Sequence, residues 1–185
     1  MSKRLIVVLF AILCIECVTA QDLAPYPAAP ANISSTASLV PKDEPGQRLV
    51  IRGTIFRADG KTPYPNMVLY FYQTDDTGVY NRTDNSWQRP RLHGWLKTTK
   101  DGRYTINTIK PGSYPNGRNP AHIHVIVQLP GEQPKWIDDF LFADDPYLSQ
   151  EDIRNAHGKG AFSHIIQTVL NNNGVLEAER NIILK

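Results

Sequence analysis

Residues 120–124 read Pro-Ala-His-Ile-His, and the two histidines are the sharpest chemical feature of the sequence. Side chains alternate faces along a strand, so residues two apart share a face. On a strand, His122 and His124 point the same way, at a spacing that lets two imidazoles reach one metal ion. The same spacing also describes two polar residues on a solvated sheet face. Upstream, Ile109-Lys110-Pro111-Gly112-Ser113-Tyr114-Pro115 places a tyrosine in a turn stiffened by two prolines. Further upstream, Gly78-Val79-Tyr80 ends a loop-like stretch in another tyrosine. A lone tyrosine usually packs or hydrogen-bonds. Two of them, ordered ahead of a His-x-His pair, are harder to assign to packing alone.

The elements that must position these residues read as strands. Leu49 to Phe56 is rich in β-branched and aromatic residues and is followed by an Asp59-Gly60 turn signal. Met67 to Gln73, His122 to Leu129 and Trp136 to Phe142 are further candidates. Lys100-Asp101-Gly102 reads as a hairpin turn between Gly94–Thr99 and Arg103–Ile109. Asn171-Asn172-Asn173-Gly174 reads as a second, between Ser163–Leu170 and Val175–Leu184. One helical turn is expected after Ser149, a plausible cap. Short strands at this spacing predict an all-β fold, an antiparallel β-sandwich with little helix.

Residues 1–20 read as a secretory signal: Lys3-Arg4, an apolar run from Leu5 to Ile15, then Val18-Thr19-Ala20. That run is shorter than the roughly 20 residues a membrane span needs. Cys14 and Cys17 both fall inside it, so the mature chain is expected to carry no disulfide. Residues 21–46 are rich in Pro, Ala and Ser and read as a flexible arm. Residues 47–185 would form the sandwich domain. Removing Lys3, Arg4 and Glu16 takes the formal charge from +2 to +1. That balance implies neither a nucleic acid nor an anionic membrane as partner. Asn32-Ile33-Ser34 and Asn81-Arg82-Thr83 are glycosylation sequons.

From about Val50 to Pro146 the sequence resembles the intradiol ring-cleavage dioxygenases, the family of protocatechuate 3,4- and catechol 1,2-dioxygenases. The marks are Gly53, Gly78–Tyr80, Asp101-Gly102-Arg103-Tyr104, Pro111-Gly112, Tyr114-Pro115, Pro120–His124 and Leu141–Pro146. The resemblance implies non-haem Fe(III) held by Tyr80, Tyr114, His122 and His124, with Tyr114 also accepting a proton from substrate. Phenolate oxygens suit a hard, highly charged cation, which in turn favours the deprotonated phenol. The implied partners are a small phenolic substrate and O2, the product a cis,cis-muconate-type diacid, and the location extracellular. The short arm lacks the helical segment that builds catechol 1,2-dioxygenase dimers, so a monomer is expected.

Two positions depart from the family pattern. Where an arginine usually precedes Pro120 stands Asn119, with Arg118 one residue earlier. Either Arg118 reaches the substrate across the offset or it points to solvent. Where many members have glutamine stands Asp139, whose carboxylate could repel a dianionic substrate, act as a base, or belong to an acidic surface strand. Arg118, Asn119 and Asp139 are thus the candidate substrate contacts, and Arg118 is also the candidate catalytic residue that, by the resemblance, would stabilise charge on the bound ring. His93, His157 and His164 match no ligand position and read as structural or surface residues; Trp87 and Trp95 either line the pocket or fill the core, with the core favoured. The competing reading is a non-catalytic extracellular module of transthyretin-like type, which shares the opening from Gly53 to Val68 but needs none of the four ligands. A cupin-like His-x-His site is discounted, because Glu132 lies too far along to complete it.

Overall fold

A computed structural model describes residues 29–81, 90–129 and 132–185. Two sheets face each other. The first has the order β1 (Thr36–Ser38), β5 (Arg103–Ile109), β2 (Arg48–Phe56), β10 (Leu176–Glu179), β9 (Val169–Leu170), with β11 (Ile182–Ile183) also paired to β2. The second has the order β4 (Leu92–Lys97), β3 (Val68–Gln73), β6 (His122–Gln128), β7 (Lys135–Phe142), β8 (Ile165–Ile166). Among the described residues the one α-helix, α1 (Gln150–Ala156), starts at Ser149 through a reciprocal capping box with Asp152. Among the described residues no helix is long and apolar enough to cross a membrane.

Alternation along each strand builds the core. Leu49, Ile51 and Ile55 of β2, Tyr104 and Ile106 of β5, Leu69 and Phe71 of β3, Ile123, Val125 and Val127 of β6, and Phe140 and Phe142 of β7 all face the sheet interface. Burying each such side chain contributes about 1.5–3 kcal/mol. On β6 this leaves His122 and His124 on the outer face. There Tyr70, Tyr72 and Ile126 form a second cluster, with Tyr80 and Trp95 packed against it. Trp95 therefore fills a core, 4.7 Å from the Tyr70 ring centroid. Trp87 lies outside the described residues.

The fold is the expected all-β sandwich with little helix, and three details differ. The sheets are mixed: the central pairs β2–β5, β3–β4, β3–β6 and β6–β7 are antiparallel, but β1, β8, β10 and β11 join in parallel. The 21–46 arm is also packed in its latter part. Residues 36–38 pair with 105–107 along the free edge of β5. Ala37 and Leu39 drop into the core while their neighbours face out, a period-two pattern that the Pro/Ser-rich composition hid. Finally, residues 99–102 do form a tight turn, with Gly102 N–H donating to Thr99 O at 3.0 Å, but not a hairpin. Ile55 N–H donates to Gly102 O at 2.9 Å, which leads the chain into the sheet of β2 while β4 stays with β3.

Within the first sheet, β2 and the segment between β10 and β11 meet tightly at one glycine. A Cβ at Gly53 would lie 1.7 Å from the Arg180 carbonyl oxygen, which itself accepts from Tyr104 Oη at 2.6 Å. Gly53→Ala should therefore cost about 1–3 kcal/mol or prevent folding, read as the denaturant midpoint of the purified chain. An unchanged midpoint would mean that β10 and β11 yield freely at Arg180.

Candidate metal centre

Two loops deliver the tyrosines, and glycine lets them touch. Gly78 has φ +82°, and a Cβ there would sit 1.9 Å from Ser113 O. A Cβ at Gly112 would lie 2.5 Å from both Asp76 O and Gly78 N. Gly112 N–H donates to Asp75 O at 2.8 Å, and Thr74 Oγ1 to Gly112 O at 2.9 Å. The backbones of the 75–80 and 110–114 loops thus lie against each other, which brings Tyr80 Oη within 2.7 Å of Tyr114 Oη.

Asp75 shapes the first loop. Its carboxylate accepts from Thr77 N–H (3.0 Å), Thr77 Oγ1 (2.7 Å) and Val79 N–H (3.1 Å), and also from the Asn81 side-chain amide. Burial raises its pKa, but these hydrogen bonds and the Arg91 charge outweigh burial and hold the carboxyl below the usual carboxylate range. Arg91 in turn forms a bidentate pair with buried Glu44, at 2.6 Å to each oxygen. The end of the expected arm is therefore a clamp on the Tyr80 loop. Asp145 does the same for the second loop: it accepts from Ser113 Oγ (3.1 Å), Ala121 N–H (2.8 Å) and Tyr147 N–H (2.8 Å). Sequence alone gives neither carboxylate a role. Asp-x-Thr at 75–77 is a turn signal that marks Asp75, while the contacts of Asp145 are set by tertiary approach.

Four donor atoms close into a ring. Tyr80 Oη to Tyr114 Oη is 2.7 Å, Tyr114 Oη to His122 Nε2 3.2 Å, His122 Nε2 to His124 Nε2 3.0 Å, and His124 Nε2 to Tyr80 Oη 3.0 Å. The far nitrogens fix the tautomers. His122 Nδ1 lies 2.7 Å from Pro120 O, and His124 Nδ1 3.0–3.1 Å from the Asp139 carboxylate; both partners only accept. Each neutral ring thus carries its hydrogen on Nδ1 and presents a bare Nε2 inward. Four short edges share only two hydroxyl protons, so two edges place lone pair against lone pair. A cation among the four atoms removes that conflict, and two phenols with two imidazoles suit a hard-to-borderline metal such as ferric iron. Burial lowers the pKa of His122, which favours the neutral ligand form. Burial, then the Tyr114 hydrogen bond, raises that of Tyr80, keeping it protonated until a cation arrives.

An open cleft of about 520 Å3 leads to this ring, lined by Tyr114, Asn119, Pro120, His122, His124, Asp138, Asp139, Leu141, Asp152 and His164. Tyr80 lies beneath, against Tyr72 at 6.2 Å between ring centroids. Of the candidate substrate contacts, Asn119 and Asp139 line the cleft. Arg118 is exposed on the 115–119 loop and is not part of the wall. His164, read from sequence as structural or surface, is on the wall; His93 caps Pro90 O at 2.6 Å and is structural.

A family model described as Dioxygenase matches residues 24–184. Among curated proteins, the chain is 29% identical over 145 residues to catechol 1,2-dioxygenase 2 of Acinetobacter lwoffii, covering 62% of this chain and 52% of that one. It is 28% identical over 158 residues to the protocatechuate 3,4-dioxygenase beta chain of Burkholderia cepacia, covering 80% and 65%. The chain thus spans about half the length of the first relative and under two thirds of the second. Among solved structures, it is similar to the dioxygenase domain of a carbohydrate-binding fusion from Streptomyces sp. SirexAA-E (TM-score 0.63, 26% identity, 88% and 94% covered). An intradiol ring-cleavage dioxygenase from Tetranychus urticae shares the fold (TM-score 0.61, 22% identity, 87% and 90% covered).

Gly78→Ala should force the two loops apart and weaken iron uptake roughly tenfold or more in chelator competition, as loss of ligand orientation does. Far-ultraviolet circular dichroism should stay that of the parent. Parent-like uptake would show that the loops tolerate separation. Asp75, with its depressed pKa, stabilises the fold fully above its unfolded value near 4 and loses that contribution as pH falls through the lower folded value. Asp75→Asn should therefore lower stability at pH 7 and flatten the acid limb of an unfolding profile. A limb of unchanged slope would count against this role.

Proposed function

Because the chain belongs to the intradiol dioxygenase family, we propose that it is a non-haem Fe(III) enzyme that cleaves catechol-type aromatics between their two hydroxyl-bearing carbons. The supporting observation is the ring of Tyr80, Tyr114, His122 and His124, whose four inward atoms share too few protons for their four edges. One carbon–carbon bond of the ring breaks, and both atoms of O2 enter the product, a cis,cis-muconate-type diacid. When bound, ferric iron would act as Lewis acid and template for the catechol.

The chain's own residues divide the remaining work. A catechol that binds through both oxygens must lose two protons. Tyr114 is on the cleft wall whereas Tyr80 is packed below it, so Tyr114 is the phenol that would give way to substrate and take one of them, the other leaving to water in the open cleft. Asn119 and Leu141 flank the space for the aromatic ring. Arg118, the usual charge-stabilising type, stands one residue off that wall, so Asn119 is what this loop offers the substrate. The proposal extends to an extracellular protein released by cleavage after residue 20, on the strength of the leader-like Lys3–Ala20 segment. The preferred ring substituents are set by the cleft.

The test is the visible spectrum of the iron-loaded protein before and after catechol in air. A tyrosinate colour that shifts and then recovers, with diacid formed, supports the reading. A colourless protein with full iron overturns it and returns the chain to a non-catalytic binding module. Tyr80→Phe and His124→Ala should each lose iron or activity, measured as bound iron per chain and oxygen uptake. Normal turnover by both would refute the ligand set.

A further inference from the structure

We propose that Asp139 is a positioning residue for the metal centre: its carboxylate holds His124 by Nδ1, turns Nε2 inward, and adds a negative charge behind the donor set. The proposal rests on the iron reading above, and three observations carry it. The first is contact. The carboxylate oxygens lie 3.0 and 3.1 Å from His124 Nδ1, on the side of the imidazole away from the tyrosines. Asp139 therefore addresses the ligand and not the space the four donors enclose.

The second is a register shift that exists at this point alone along β6 and β7. His122 and Ile123 pair with Leu141 and Phe140, but Val125 pairs with Ile137, so Asp138 and Asp139 together oppose His124. One extra residue in a strand bends it and re-aims its side chains, and such bulges gather beside functional sites. The third is that the bulge is pinned from behind. Buried Arg180 donates from Nη2 to Asp138 O at 2.6 Å, with its guanidinium 4.0 Å above the Phe140 ring centroid. On the opposite side, β3 places Tyr72 across from His124, stacked at 4.4 Å between centroids. The imidazole is thus fixed in plane by a stacked ring and in rotation by a carboxylate.

The two histidines differ in consequence. His122 gives its Nδ1–H to a neutral carbonyl, that of Pro120. His124 gives its own to an anion, which makes it the more basic donor of the pair. Two phenolates would leave a 3+ ion one positive charge in excess, and the Asp139 carboxylate behind His124 would offset it, which favours the ferric state.

The experiment compares Asp139→Asn, which keeps an acceptor without the charge, and Asp139→Leu, which keeps neither, on folded protein verified by circular dichroism. Iron affinity by chelator competition and the tyrosinate-to-iron absorption band are read in the absence of substrate. Weaker imidazole donation leaves the metal more electron-poor, so the band should move to longer wavelength in both variants, further in Asp139→Leu. Iron affinity should fall about 10–100-fold in Asp139→Leu, the usual cost of removing an outer partner of a ligating histidine, and less in Asp139→Asn. A purely structural role would move stability but not the band. Parent affinity and an unmoved band in Asp139→Leu would overturn the proposal while leaving the four-ligand reading intact. A parent protein that takes up no iron would sink both.

Discussion

Backbone contact between two loops is the constraint on which the centre depends. Tyr80 and Tyr114 come from segments more than thirty residues apart, and their oxygens meet only because Gly78 and Gly112 remove the side chains that would separate the loops. The contact then has to be kept from sliding. Asp75 folds the first loop onto itself, Arg91 and Glu44 brace it, and Asp145 ties the second loop to the start of β6. Each brace is a carboxylate receiving several donors, a strong and directional kind of hydrogen bond.

The sandwich supplies the other half of the site by an accident of alternation put to use. Residues that fill the core of β6 are Ile123, Val125 and Val127, which consigns His122 and His124 to the outer face. That face is not left to solvent. Tyr70, Tyr72, Ile126 and Trp95 build an aromatic floor on which His124 and Tyr80 lie. The floor removes water from beneath the donors, raises the pKa of Tyr80, and leaves the cleft side, with Tyr114, as the route of approach. The bulge that delivers Asp139 is anchored by the side chain of Arg180, whose own backbone carbonyl meets Gly53 and Tyr104 in the first sheet, so site and scaffold share one support.

The parts legible in sequence are those carried by near neighbours. His122 and His124 announce a shared face through a two-residue spacing, Tyr114 is framed by Pro111 and Pro115, and Ser149 announces its helix. The family resemblance supplied what spacing alone left open, the pairing of these residues with Tyr80. What escaped depends on register and approach between distant segments. Ala37 and Leu39 pack because β5 has a free edge, which no local pattern reports. The turn at 99–102 has hairpin chemistry but separates two sheets, because Gly102 is captured by Ile55. Asp139 could be singled out as unusual, yet its partner is set by a one-residue shift between β6 and β7. His164 reaches the cleft wall through β8, a two-residue strand too short to show a period.

The most direct measurement is an anomalous difference map from crystals of the iron-loaded protein, collected across the iron absorption edge. One peak is expected, about 2 Å from each of Tyr80 Oη, Tyr114 Oη, His122 Nε2 and His124 Nε2, a normal metal–ligand distance. A map with no peak there, or with iron bound elsewhere and the four atoms still in mutual contact, would contradict the assignment of this ring as the metal centre.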